Sequence, residues 1–434
     1  MKNGEDVKGL GLNTETERDP AEKELHSKSG GLLGCGVDRK PNDAVTSLYV
    51  HVPFCAHKCS YCAFYSEASK GEVIERYVAA VIREMEIVAA DVRPNTIFFG
   101  GGTPSLLNLS QWERILSAME RLKLTNASEW TVECNPATVS LAKAKLLRAH
   151  GVNRISMGVQ SLDEQLLDRL GRIHSREMVF KSFDILRAAG FDNVNVDLMF
   201  AIPGQTMEIW RATLAEAMAL GSEHLSSYEV IYEEDTPLYE QLKAKQFDVN
   251  EELACAMYEE LVEQSGRGGF LQYEIANFAK HRPTEVRAKD KFEISDTEIP
   301  SQACRHNVNY WRGGSFYGLG PSATSYVRGV RTRNWSNTQI YCNQLEQGRR
   351  AIESTEELPA LARAGETAAF GLRMNAGWPY REFERVTGRD LRGEWSAELE
   401  QLTRRGWGSA DAQGFHLTRA GLRFADAAAE LFLR

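Results

Sequence analysis

Two hydrophobic periods alternate along the middle of the chain. Short apolar, β-branched runs predict strands, and the longer stretches between them carry apolar residues at three- and four-residue spacing, which predicts helices. The first helical stretch spans residues 74–85. Six strands are predicted in this way, at residues 48–52, 96–99, 130–134, 154–158, 193–200 and 224–230.

This alternation predicts an α/β fold. Repeated strand–helix units form parallel sheets with right-handed crossovers. Six units are too few for a closed eight-stranded barrel, so we expect an open, partial (β/α)6 TIM-like barrel over residues 45–240. Functional residues of such folds gather at the carboxyl ends of the strands. We therefore look for chemistry where the predicted strands end.

The rest of the chain follows other patterns. Residues 1–44 are polar and glycine-rich, which predicts a flexible extension. After residue 240 the strand–helix alternation stops, and residues 241–360 form a connecting region. Within that region we predict a helix at 250–264, an extended segment at 270–278 and an exposed charged loop at 279–302. Residues 361–434 predict a mostly helical C-terminal domain, which ends in a strand at 414–417 and a helix at 420–431.

Composition narrows the class of protein. The 434 residues are 43% hydrophobic and 26% charged, as in globular proteins, and the net charge of −9 argues against a general nucleic-acid binder. No run approaches the 18 apolar residues of a membrane span. The first residues lack the apolar core of a secretory signal and are too acidic for a transit peptide. These features predict a cytoplasmic protein.

Three cysteines lie directly after the first predicted strand. Cys55, Cys59 and Cys62 form a C-x3-C-x2-C array. Soft thiolates on one short loop suit an iron–sulfur cluster, and three of them leave the fourth iron of a 4Fe-4S cluster open to a ligand. Zinc is the rival interpretation, although no cysteine or histidine pair follows at zinc-finger spacing. The remaining cysteines are scattered and are interpreted as unpaired thiols: Cys35, Cys134, Cys255, Cys304 and Cys342.

The cysteine array resembles the signature of the radical S-adenosylmethionine (SAM) superfamily. That resemblance implies that SAM chelates the open iron, and that its reductive cleavage yields a 5′-deoxyadenosyl radical. The flanking residues Tyr49, His51, Pro53 and Phe54, with the tail CAFYS at 62–66, are similar to the oxygen-independent coproporphyrinogen III oxidase-like family and, within it, to heme chaperones of the HemW type. The resemblance covers residues 46–434 and implies a winged-helix-like C-terminal domain.

Further motifs follow the later strands. A glycine run at 100–103 ends the second strand, where an ordinary turn is the alternative to a ligand-binding loop. A carboxylate such as Asp197 inside an apolar strand needs a partner or a ligand. Carried over from the family's motifs, nine residues are implied to contact SAM: Tyr49, Tyr61, Gly101, Gly102, Thr103, Glu133, Gln160, Arg172 and Asp197. For His51 a cluster-tuning role and simple packing are both open.

The segment HNVNYW at 306–311 matches the H-N-x-x-Y-W motif of HemW-type proteins. Imidazole is an ordinary axial ligand of heme iron, although a lone histidine is more often structural. The resemblance implies that the segment is associated with heme. The residues concerned are His306, Asn307, Tyr310 and Trp311.

Two functions compete for this sequence. The first is a heme chaperone that holds heme as cargo and, with a SAM-liganded 4Fe-4S cluster, delivers it to a target such as a respiratory enzyme. Its implied partners are heme, the accepting protein, for which a membrane location is open, and an electron donor for the cluster, but no nucleic acid. The second is coproporphyrinogen III dehydrogenase, a radical decarboxylase of heme biosynthesis. Decarboxylases of the family carry a cysteine where this chain has Phe64, which favours the chaperone and leaves enzymatic activity open.

Overall fold

The computed structural model describes residues 44–68, 71–282 and 299–433. The predicted extension at 1–44, with Cys35, therefore lies outside the described residues except for Ala44. The predicted charged loop at 279–302 lies outside them between residues 283 and 298. The chain from Ala44 onward forms one compact unit.

The predicted strand–helix alternation is confirmed. All six predicted strands are present and parallel to one another: β1 (Val45–Val52), β2 (Val92–Gly101), β3 (Glu129–Cys134), β4 (Arg154–Gln160), β5 (Val194–Phe200) and β6 (His224–Glu229). The helices between and after them are α1 (Gly71–Val88), α2 (Leu109–Arg121), α3 (Leu141–Ala149), α4 (Glu164–Arg169), α5 (Arg176–Ala188), α6 (Met207–Ala219) and α7 (Pro237–Lys243). Most of them begin at a Ser, Thr, Asn or Asp side chain that accepts a backbone N–H, the capping that such residues favour.

The side chains of each strand alternate between two environments. In β1, Leu48, Val50 and Val52 are buried in the main hydrophobic core, which lies between the sheet and its helices. The alternate positions carry Tyr49 and His51, which point to the inside of the barrel because successive strand residues face opposite sides. The same alternation in the neighbouring strands makes the barrel interior polar and its outside apolar.

Three additional strands extend the sheet to nine in the described part of the chain. They are β7 (Leu271–Glu274), β8 (Asn277–Ala279) and β9 (Tyr317–Leu319). The strand order is β7-β8-β6-β5-β4-β3-β2-β1-β9, with β8 antiparallel to β6 and β9 parallel to β1. The sequence predicted an extended segment at 270–278 but not its pairing. β8 and β9 thus pair with the two outer predicted strands, β6 and β1, and the short strands β7 and β9 are the edges of the nine-stranded sheet.

The connecting region packs against α1, the first helix of the barrel. Its elements are α8 (Glu251–Arg267), α9 (Arg305–Trp311), β10 (Thr324–Val327), β11 (Val330–Asn334), α10 (Thr338–Glu346) and β12 (Ile352–Glu357). The buried carboxylate of Glu84 in α1 accepts hydrogen bonds from the Tyr341 hydroxyl at 2.7 Å, the Asn334 amide at 2.8 Å and the Gly320 backbone at 2.8 Å. One carboxylate thus joins α1 to three parts of this region.

The C-terminal domain is helical with a small antiparallel sheet. Its elements are α11 (Ala360–Gly371), β13 (Trp378–Pro379), α12 (Tyr380–Thr387), α13 (Leu391–Glu394), α14 (Ser396–Arg404), β14 (Gly408–Ala410), β15 (Gly414–Leu417), α15 (Arg419–Leu422) and α16 (Ala425–Glu430). It has its own core around Trp378 and Trp395. The predicted strand at 414–417 is confirmed, whereas the predicted final helix is divided into α15 and α16. Within the described ranges, no helix is long and apolar enough to cross a bilayer.

Candidate functional site

A cavity of about 470 Å³ opens at the carboxyl ends of the parallel strands. It is lined by the loop after β1, by the glycines at the end of β2 and by side chains of β3 to β6. Parallel strands bring their carboxyl ends to one edge of a sheet, so residues far apart in sequence meet there. The sequence predicts the functional residues at this edge of the sheet.

The three cysteines of the array lie together on the wall of this cavity. Cys55, Cys59 and Cys62 are half-buried free thiols on the loop between β1 and α1. The Cys55 sulfur is 3.5 Å from the Thr103 hydroxyl, and the Arg172 guanidinium donates to the Cys59 sulfur at 3.5 Å. Cysteine binds metals as the thiolate, so these three side chains are the candidate ligands of a metal centre.

This donor set fits an iron–sulfur cluster. Within the described ranges, no three cysteine, histidine or carboxylate side chains converge on one metal ion. A cubane cluster does not require three ligands to converge on one ion, because each thiolate binds a different iron atom. Three half-buried thiols around an open cavity therefore match a 4Fe-4S cluster, for which Cys55, Cys59 and Cys62 would be the protein ligands.

The glycine run brings backbone close to the cysteine loop. The amide of Gly102 donates to the Val52 carbonyl at 2.8 Å, and that of Thr103 donates to the Phe54 carbonyl at 2.7 Å. A Cβ on Gly102 would lie 2.7 Å from the latter oxygen, and one on Gly101, whose φ is +105°, would lie 2.5 Å from the His51 ring. Only glycine fits both positions, and both residues lie in the cavity wall.

Two half-buried carboxylates face the cavity, Glu133 on β3 and Asp197 on β5. Glu133 accepts one hydrogen bond from the Gly101 amide at 3.2 Å. Burial, and to a lesser degree the negative charge of Asp197, raise the pKa of Glu133 to about 8. Burial also raises the pKa of Asp197, against the opposing effect of its hydrogen bonds from Ser156 and Asn195. A cationic ligand group would relieve this repulsion, so the pair is suited to an ammonium group.

Gln160 and Arg172 complete the polar wall. A β-bulge between Gly158 and Gln160 shifts the strand register, and Gln160 adopts a φ of +67°, which a non-glycine residue rarely does. Arg172 donates to the Gly158 carbonyl at 2.6 Å, while its buried Nε has no hydrogen-bond partner in the described part of the chain. An unsatisfied buried donor and a strained backbone are typical of ligand sites.

The structure brings together eight of the nine residues predicted to contact SAM. Tyr61, Gly101, Gly102, Thr103, Glu133, Gln160, Arg172 and Asp197 all line the cavity. Tyr49 does not line it. Its hydroxyl lies deeper in the barrel, 3.0 Å from the Nδ1 of His51, whose Nε2 is 2.9 Å from the Tyr65 carbonyl oxygen. His51 therefore supports the cysteine loop through that carbonyl.

The HNVNYW segment lies at the opposite end of the barrel. It forms α9, whose His306 is 2.9 Å from the hydroxyl of Thr96 and 2.7 Å from that of Tyr310, so both ring nitrogens are engaged. Glu129, at the start of β3, accepts hydrogen bonds from the backbone amides of Arg305 and His306. Burial lowers the pKa of His306 to about 3, so the ring is neutral. In this arrangement no ring nitrogen is available to an iron.

Two other motif residues, Asn307 and Trp311, lie further along the same helix. Asn307 is half-buried in the helix, and Trp311 packs 6.3 Å from the Phe370 ring of the C-terminal domain. The guanidinium of Arg373 lies over the Trp311 ring at 5.2 Å. The motif thus joins the barrel to the C-terminal domain.

Sequence reasoning missed part of the cavity wall. Ser156, Met199, Tyr228 and Ile231 also line it, and Ile231 is 67% exposed. The sequence contains a signal for the first three, because alternate residues of a strand face the same side. Each lies an even number of residues along its strand from a residue that faces the barrel interior: Ser156 from Gln160, Met199 from Asp197 and Tyr228 from His224. Ile231 follows β6, and nothing in its local sequence distinguishes it.

Two family models match the chain. Residues 49–217 match the radical SAM superfamily, and residues 358–424 match the HemN C-terminal domain. Among solved structures, coproporphyrinogen III oxidase (HemN) from Escherichia coli, described as a radical SAM enzyme, superimposes with a TM-score of 0.74 and 21% identity over 90% of each chain. That likeness establishes the fold.

Curated relatives match over nearly their whole length. Heme chaperone HemW of Bacillus subtilis is 32% identical over 381 residues, which cover 86% of this chain and 96% of that protein. Heme chaperone HemW of Lactococcus lactis is 31% identical, with coverage of 91% and 98%, and that of Escherichia coli is 32% identical, with coverage of 89% and 98%. The chain therefore belongs to the HemW family within the radical SAM superfamily.

Proposed function

We propose that the protein is a heme chaperone, which binds heme and passes it to an acceptor protein with the participation of a SAM-liganded 4Fe-4S cluster. The observation that carries this proposal is the similarity to heme chaperones named HemW along almost their full length. A cytoplasmic location, an acceptor such as a respiratory enzyme and an electron donor for the cluster belong to the same proposal.

The cavity supports the cofactor part of the proposal. When bound, the cluster would supply an open iron that the amino and carboxylate groups of SAM would chelate. Cys55, Cys59 and Cys62 would hold the cluster, and Arg172 would donate a hydrogen bond to the Cys59 sulfur. Glu133 and Asp197 would accept hydrogen bonds from the amino or ribose groups of SAM, and the Gly101–Thr103 backbone would border the methionine part.

Heme association of the HNVNYW segment stays a prediction. Direct ligation by His306 would require its ring to give up the Thr96 or the Tyr310 hydrogen bond. In the described arrangement the histidine instead fixes α9 against β2 and Glu129. His306, Asn307, Tyr310 and Trp311 would therefore affect heme through a movement of this segment.

Heme titration of the anaerobically reconstituted protein tests the proposal. We expect wild type to bind hemin, and His306→Ala to bind it more weakly or with a changed absorption spectrum. His150→Ala is the matched control, because that histidine is the C-cap residue of α3 and bonds to a carbonyl of its own helix, outside the HNVNYW segment. Absence of heme binding by wild type would refute the proposal.

A parallel assay tests the rival enzyme function. The HemN-like fold alone would allow coproporphyrinogen III decarboxylation, but Phe64 replaces the cysteine of the decarboxylases and is 71% exposed at the cavity mouth. With SAM, reductant and coproporphyrinogen III, we expect no protoporphyrinogen IX. Formation of that product would mean that Phe64 does not exclude the chemistry, and the enzyme function would replace the chaperone.

A further inference from the structure

A chain of hydrogen bonds begins at the carboxylate of Asp197, beneath the cavity. Asp197 accepts from the side-chain amide of Asn195 at 2.8 Å and from the Ser156 hydroxyl at 3.0 Å. The same Asn195 nitrogen donates to Ser156 at 2.7 Å, so both of its hydrogens are used. Asn195 is 1% exposed. Its remaining hydrogen-bonding group, the Oδ1 oxygen, can only accept.

The next two links have a fixed direction. His224 Nδ1 lies 2.6 Å from the Asn195 oxygen and must carry a hydrogen, since that oxygen is an acceptor. Burial, with the nearby charge of Arg154, lowers the pKa of His224 well below its ordinary value, so the ring is neutral and Nε2 is an acceptor. The Tyr273 hydroxyl lies 2.9 Å from Nε2 and donates to it. Every donor up to this point is directed toward Asp197.

The hydrogen-bond path ends at the start of the HNVNYW segment. The Tyr273 oxygen accepts the backbone N–H of Cys304 at 3.2 Å. Cys304 directly precedes α9, and the next two backbone amides bind Glu129. A continuous path of buried, fully used hydrogen bonds therefore joins a carboxylate of the SAM cavity to the backbone that holds His306. Sequentially ordered hydrogen bonds of this kind polarise and strengthen one another.

We propose that Asn195, His224 and Tyr273 are positioning residues that couple the SAM cavity to the HNVNYW segment, so that SAM binding weakens heme binding and heme binding weakens SAM binding. The heme part rests on the proposed function. SAM bound to Asp197 would fix the carboxylate and the hydrogen-bond path that leads from it. Cys304 would then stay in the arrangement in which both ring nitrogens of His306 are hydrogen-bonded. Heme association through His306 requires that arrangement to loosen, so the two ligands oppose each other.

Thermodynamic linkage makes this proposal measurable from either ligand, because the coupling must be equal in both directions. The cluster-reconstituted protein is titrated with SAM by calorimetry, with and without saturating hemin. We expect hemin to weaken SAM binding by about five-fold or more in wild type, the lower end of ordinary coupling. Tyr273→Phe removes the hydroxyl that links His224 to Cys304, and we expect it to abolish this dependence on hemin.

Tyr341→Phe is the matched control. Tyr341 is as buried as Tyr273, and its hydroxyl also donates a hydrogen bond to a buried group, the carboxylate of Glu84. Neither Tyr341 nor Glu84 belongs to the hydrogen-bond path from Asp197 to Cys304. It should lose stability to a similar degree and keep the dependence of SAM affinity on hemin. A dependence that is absent or of opposite sign in wild type, or unchanged in Tyr273→Phe, would overturn the coupling while leaving the chaperone function standing.

The positioning role is tested without heme. We expect Tyr273→Phe to bind SAM about ten-fold more weakly than Tyr341→Phe, because the loss leaves buried groups unpaired behind Asp197. His224→Phe breaks the next link. The double variant, which combines Tyr273→Phe with His224→Phe, should have a SAM affinity no lower than that of the single variant with the lower affinity, because the effects of groups that act through one path are not additive. Equal SAM affinity of Tyr273→Phe and its control, or additive effects, would overturn the positioning role. If wild type bound no heme, the proposed function would fall, and these SAM affinities alone would decide the positioning role.

Discussion

The two ends of the barrel are built from the same strands but differ in how their polar groups are used. At the carboxyl ends, within the described residues, Glu133 accepts only one hydrogen bond and the Nε of Arg172 has no partner. At the amino ends, both nitrogens of His306 and both oxygens of Glu129 are engaged. Unused hydrogen-bonding capacity around an open cavity marks a ligand site, whereas complete internal pairing marks a structural closure.

This difference separates two kinds of variants. Changes at the open end should remove a ligand and leave the fold intact, since the side chains there have few internal partners. Changes at the closed end should cost stability, because each leaves buried groups unpaired. The four predictions below test this division, beginning with the largest effect.

The largest effect is expected from the cysteine array. Cys55→Ala, Cys59→Ala or Cys62→Ala should abolish the iron–sulfur absorbance, because three thiolates are the minimum for the proposed cluster. Iron and sulfide assays after anaerobic reconstitution provide the measurement. Cys342→Ala is the control, since this buried cysteine lies in α10 and does not line the cavity. Full iron content in Cys59→Ala would exclude the proposed ligand set.

At the closed end, His306→Ala should lower the free energy of unfolding by roughly 2–4 kcal/mol, because it leaves a void and two unpaired hydroxyls. Denaturant unfolding monitored by tryptophan fluorescence would measure it. Tyr310→Phe removes one of the two hydrogen bonds and should cost less. Unchanged stability in His306→Ala would mean that the closure does not depend on this histidine.

At the open end, Glu133→Ala should weaken SAM binding about ten- to a hundred-fold, the usual effect of removing a hydrogen-bond partner of a charged group. Calorimetry on reconstituted protein would show it, with iron content as the control for cluster retention. In contrast to His306→Ala, this variant should lose no stability, because burial of the carboxylate raises its pKa and is itself unfavourable. SAM affinity equal to that of wild type would return Glu133 to a structural role.

The smallest effect is a dependence on pH. The pKa of Glu133 is raised to about 8, so the ligand-free protein holds this proton at neutral pH. A cationic group of SAM requires the ionised form, so the SAM-bound state holds fewer protons and affinity must fall as pH decreases below 8. We expect several-fold weaker binding at pH 6.5 than at pH 8.5, and a flatter profile for Glu133→Gln. The same slope in both proteins would assign the titration to another group.

The sequence by itself determined the six parallel strands, the cysteine array and most of the cavity wall. These features depend on local order: hydrophobic periodicity sets each strand and its two faces, and parallel pairing brings the strand ends together. Glu133 and Asp197 could therefore be assigned to one site although 64 residues separate them in the sequence. The match to a known motif supplied the identity of the ligand, which periodicity does not contain.

Only the tertiary structure decided which polar residues are already satisfied. The sequence gives His306 and Glu133 the same status, as single polar residues in recognisable motifs. Whether a polar side chain has hydrogen bonds to spare depends on partners from distant segments, such as Thr96 for His306 and Gly101 for Glu133. The pairing of β9 with β1 and the path from Asp197 to Cys304 depend on the same kind of contact. Local periodicity does not encode such contacts, because they arise from the packing of the whole chain.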